Sequence, residues 1–223
     1  MKFFLLLSLL ILPSSAFADT LAYANDTGDD ASYAIDATTV YYGQTFITDS
    51  SNLILSTISL FGKRFGTGGG TCTLHVTAVD GSHKPTGSDI SSGTWDDTTL
   101  STSDAWFSVD VSNYTLTALT EYAIYISCAG VDGSNGFSAR GDSSDTFPYI
   151  LWSTNSGSTW ATDANQSLMI RVYTTSVAPP DPAPEWATST PLTLDDIGFL
   201  LGIFLVLAWF FVLHFIYKEV FHV

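Results

Sequence analysis

Between residues 19 and 175, apolar and polar side chains alternate one by one in short stretches, and the spacing of a helix is almost absent. A period of two sends successive side chains to opposite faces of a strand, which commits the chain to sheets with one buried face. The stretches are Tyr41–Ile47, Leu53–Phe61, Thr71–Val79, Trp106–Val111, Glu121–Ala129, Ile150–Ser153 and Leu168–Thr174. Asp80-Gly81, Thr86-Gly87, Asp132-Gly133 and Asn135-Gly136 separate them with turn chemistry. Short strands punctuated in this way predict an all-β, jelly-roll-like antiparallel sandwich. The uneven strand spacing, and the lack of a Cys-Trp-Cys arrangement, argue against an immunoglobulin-like one.

The two cysteines are placed by the same alternation. Cys72 shares a face with Leu74, Val76 and Ala78, and Cys128 shares one with Tyr122, Ile124 and Ile126. Both therefore point toward the core, and a Cys72–Cys128 disulfide is expected in an exported chain.

The two ends read differently. Residues 1–18 have Lys2, an apolar run and Ala16-Phe17-Ala18, the pattern of a signal peptide. The folded domain then covers 19–175. Residues 176–194, rich in Pro, Ser and Thr, read as an extended stalk. A transmembrane helix is expected over 195–217, because Ile197–Tyr217 is an uncharged apolar run; 218–223 is a short cytoplasmic tail. Gly198 and Gly202 have the spacing that lets two such helices approach. This organisation predicts a single-pass membrane protein with its N-terminal domain exported to a cell surface, periplasm or virion envelope.

Charge excludes one class of partner. The chain has 22 acidic and 7 basic residues, and a clustered basic surface for nucleic acid cannot be built from them. Charged residues are only 13%, and 55 serines and threonines take their place, so the polar surface is mainly hydroxyl.

Gln44-Thr45-Phe46 opens one strand, Lys84-Pro85-Thr86-Gly87 forms a turn, and Trp106 and Tyr122-Ala123-Ile124-Tyr125 follow. In this order the motifs resemble the secreted bacterial "choice-of-anchor" modules, over about residues 40–175, and are similar to carbohydrate-binding jelly rolls. The resemblance implies a sandwich displayed at a surface, and it brings no catalytic residues with it.

The residues themselves point away from catalysis. His75 lies on the outward face of its strand and His83 in a turn, with no nucleophile motif nearby, so an enzyme is not expected. Two oxygen-rich clusters could hold calcium: Asp26, Asp29 and Asp30 beside Asn25, and Asp132, Asp142 and Asp145 beside Asn135. No other cofactor is implied. Trp95, Tyr149 and Trp160 are the candidate ligand-binding aromatics, set among Asp, Asn, Ser and Thr as sugar sites require. Trp106 and Trp152 are assigned to the core. The expected function is membrane-anchored recognition of, or adhesion to, glycans or another surface. The alternative is a structural component of an envelope, virion or surface assembly that contacts its own copies as a homo-oligomer, or an accessory subunit of a membrane complex.

Overall fold

The structure, a computed structural model, describes residues 19–68, 70–144, 148–175, 205–214 and 216–217. The chain divides into two units, Met1–Val177 and Ala178–Val223.

Among the described residues the first unit contains thirteen strands. They are β1 (Asp19–Asn25), β2 (Ala31–Ile35), β3 (Tyr41–Ile47), β4 (Leu53–Phe65), β5 (Thr71–Val79), β6 (Pro85–Asp96), β7 (Ala105–Leu116), β8 (Glu121–Ala129), β9 (Gly136–Asp142), β10 (Ile150–Ser153), β11 (Ala161–Asp163), β12 (Ser167–Leu168) and β13 (Ile170–Thr175). One sheet has seven strands in the order β1-β13-β4-β9-β12, with β2 added on β9 and β7 on β4. The other has six, in the order β11-β10-β3-β8-β5-β6. All pairings are antiparallel, and the fold is an all-β two-sheet sandwich.

The core lies between the sheets. Ile58 and Leu60 of β4, Phe137 of β9, Leu74 of β5, Ile124 and Ile126 of β8 and Phe46 of β3 are all fully buried there. Cys72 and Cys128 are directly opposed in the β5–β8 register and form a disulfide, as the alternation predicts. Gln44 is also fully buried among these side chains. Its Oε1 accepts the backbone N–H of Leu168 at 2.6 Å, which joins β3 of one sheet to β12 of the other. Along one side the edge strands β6 and β7 meet. A Cβ on Gly93 of β6 would lie 2.8 Å from Val109 Cγ1, so only glycine permits that approach.

In the second unit, helical residues are described at 205–214 and 216–217. Among the described residues no helix is long and apolar enough to cross a membrane. This corrects the transmembrane helix expected over 195–217. The single-pass topology, the membrane partner, and the membrane anchoring on which the function and its alternative both rested are corrected with it. The signal peptide (1–18), the stalk (176–194), Gly198, Gly202 and the tail (218–223) lie outside the described residues.

Candidate functional site

The outer face of the six-stranded sheet carries a row of rings. The alternation that turns Leu74 and Val76 inward turns His75 outward, and in β8 it turns Tyr125 outward opposite His75. The two rings stack at 4.5 Å with 12° between their planes. On the far side of Tyr125 the opposing residue of β3 is Gly43, where a Cβ would come within 2.6 Å of Tyr125 Cβ. The missing side chain makes room for the tyrosine. Tyr41 then stacks on Tyr125 at 6.0 Å, and Trp160 meets Tyr125 edge-on at 4.8 Å. All four residues are partly exposed.

Trp160 is held by the loop between β10 and β11. Ser153 Oγ accepts the N–H of Gly157 at 2.9 Å, Asn155 Oδ1 accepts that of Thr159 at 2.9 Å, and Ser156 N–H reaches Thr39 O at 3.0 Å. Ser156 and Gly157 both have positive φ, +56° and +79°. These bonds tie the loop down, so the indole is presented from a fixed position.

His75 is held as firmly. Its Nδ1 lies 2.8 Å from Asp89 Oδ2 and its Nε2 2.9 Å from Ser127 Oγ. A carboxylate only accepts, so Nδ1 donates to Asp89, and in the neutral ring Nε2 accepts from the serine hydroxyl. The burial of Tyr125, and then the negative charge of Asp89 beside it, push the tyrosine hydroxyl up to about 12.

Asp89, His75 and Ser127 stand in the order of an acyl-transfer triad. The backbone around the serine is committed elsewhere. Cys72 and Cys128 approach to 4.0 Å between Cα atoms, which marks a non-hydrogen-bonded pair. The next pair, Thr73 and Ser127, therefore exchanges both ladder bonds, and the Ser127 N–H is not available to an oxyanion.

The aromatics singled out from sequence do not form one site. Trp160 belongs to the ring row. Tyr149 lies in a second ring pair, stacked on His83 at 3.9 Å, with His83 Nδ1 bonded to Glu121 at 2.8 Å. Trp95 faces the interior, 5.5 Å from Phe107 and 5.6 Å from Phe137. Its Nε1 is buried without a hydrogen-bond partner among the described residues. Trp106 lies on the outer face of the other sheet, under the guanidinium of Arg171 at 4.0 Å. Tyr41, Tyr125, Asp89 and Ser127 escaped the sequence reading. Two tyrosines at outward positions of alternating strands were the available signal.

The acidic clusters are engaged by protein groups. Asp26 pairs with Arg171 at 3.0 Å and Asp29 pairs with Arg140. Asp30 accepts Ser143 N–H at 2.8 Å, and Asp142 accepts that of Ser144 at 2.7 Å. Asp132 accepts the N–H groups of Ser134 and Asn135 within its own turn. Among the described residues no group of three acidic, histidine or cysteine side chains is placed to hold a metal ion; Asp145 lies outside them. No family model and no curated protein matches the chain.

Proposed function

We propose that the sandwich is a non-catalytic binding module that takes a neutral carbohydrate on the Tyr41–Tyr125–Trp160 ring row. The observation that carries this reading is the row itself: three half-exposed aromatic rings on one sheet face, fixed by the His75 clamp and the β10–β11 loop. Aromatic surfaces pack against the C–H faces of a sugar, and the neighbouring hydroxyls and amides of Ser127, Asn155 and Thr159 suit its hydroxyl groups. A fixed row loses little conformational entropy when a ligand settles on it. The occupied N–H of Ser127 supports binding over acyl transfer. The resemblance to choice-of-anchor modules and carbohydrate-binding jelly rolls agrees with this reading, since Gln44-Thr45-Phe46 and Tyr122–Tyr125 form the adjacent strands beneath the row.

The full chain, applied to a glycan array, is expected to retain a defined set of neutral glycans. Trp160→Ala and Tyr41→Ala each weaken that binding by about 1–2 kcal/mol, roughly tenfold, without moving the thermal midpoint much. Retention of no glycan, or variants that bind like the parent, would sink the reading. Covalent labelling of Ser127 by an activated phosphonate would replace it with a catalytic one.

A further inference from the structure

The opposite side of the sandwich from the β6–β7 contact has a pocket of its own. Where β2 of one sheet faces β3 and β10 of the other, Tyr33, Tyr42, Ile150, Trp152 and Gln166 line a cavity of about 180 Å³, room for a handful of heavy atoms. The rings of Tyr33 and Tyr42 stand 5.5 Å apart at 48°, a tilted contact that sets the two walls against each other. Tyr33 donates its hydroxyl to Gln166 Oε1 at 3.0 Å, which fixes both side chains.

The charges that act on the two tyrosines of this pocket are carboxylates. Asp30, Asp142 and Asp163 act on Tyr33, and Asp36 acts on Tyr42. Among the described residues no lysine or arginine lines the cavity. Among the described residues, Lys63, Arg140 and Arg171 are tied to Asp104, Asp29 and Asp26. Tyr33 feels both burial, the larger effect, and the carboxylates, which together push its hydroxyl up to about 12. An anion would enter against this field. A neutral group would gain nothing from it. A cation gains from the carboxylates and from the electron-rich rings that line the pocket.

We infer that the pocket between β2, β3 and β10 binds a methylated ammonium group, with Tyr33, Tyr42 and Trp152 as its walls and Asp36 and Asp163 supplying the attracting charge. The site is separate from the ring row of the outer face, and the inference does not depend on carbohydrate binding there.

Calorimetric titration of the full chain tests it, with choline, free Nε-trimethyl-lysine and the uncharged isostere 3,3-dimethylbutan-1-ol. Choline or the lysine derivative is expected to bind, and the one that binds more tightly tells a small headgroup from a modified side chain. The isostere binds at least about tenfold more weakly. Trp152→Ala abolishes the heat; if that variant does not fold, Tyr42→Ala serves, with Tm measured alongside. Asp36→Asn combined with Asp163→Asn weakens binding severalfold and flattens its dependence on salt. Trp160→Ala leaves it unchanged, so failure here is distinguishable from failure of the carbohydrate reading. Equal affinity for the isostere, no heat from either ammonium compound, or full binding by folded Trp152→Ala or Tyr42→Ala protein would overturn the inference.

Discussion

Tyr33 and Tyr125 sit in different parts of the sandwich and share one property: each keeps its hydroxyl proton to about pH 12, because burial, and then nearby aspartates, oppose the phenolate. The unfolded chain loses the same protons near pH 10. Between these values the folded state binds more protons, so the contribution to stability is complete below about pH 10 and disappears as pH rises through about 12. Absorbance titration of tyrosinate is expected to show Tyr33, Tyr42 and Tyr125 ionising late, together with alkaline unfolding. Tyr125→Phe removes one late step and makes stability less sensitive to pH in that window. Ionisation of all ten tyrosines by pH 11 contradicts this. The outward position of Tyr125 was legible in the alternation of Glu121–Ala129. Its neighbours were not, since Asp89 comes from a strand that the sequence does not announce.

Strands β5 and β8 are the elements most clearly written in the sequence, and the disulfide joins them. Each places its cysteine with the apolar set, and the antiparallel register makes the two face each other. Replacing both, as Cys72→Ala with Cys128→Ala, is expected to cost about 2–4 kcal/mol, read as a lower denaturant midpoint, and a reducing agent acts in the same direction. An unchanged midpoint would show that the cross-link does not restrain the unfolded chain. Strands β6 and β9 were illegible for opposite reasons. Pro85–Asp96 is an edge strand of largely polar side chains, half of them exposed, so it has little apolar alternation to read. Gly136–Asp142 is buried on both faces and built largely of small residues, and its first residue looks like part of a turn. The leading strand β1 was missed as well; among the described residues it pairs with β13 alone, and half of it is exposed.

At the scale of the molecule, one buried amide connects the two layers. Gln44→Ala leaves the N–H of Leu168 unpaired in the core, and the expected cost is about 1–3 kcal/mol by equilibrium unfolding. A loss within a few tenths of a kcal/mol would mean that water or a shifted backbone replaces the bond. The correction to the C-terminal segment belongs to this scale too. An apolar run reports where side chains prefer to partition, whereas crossing a bilayer requires about 20 residues in one hydrogen-bonded helix. Among the described residues the helical segments are 205–214 and 216–217, and no helix there is long and apolar enough to cross. The candidate site shows the same division. Alternation and turn residues act between near neighbours, so the order of residues is enough to set the sandwich class, the inward cysteines and the outward histidine. Which rings stack, which tryptophan is core and which tyrosines wall a pocket depend on pairings between distant segments. Those pairings are selected by burial of the whole core and exist once the two sheets have packed.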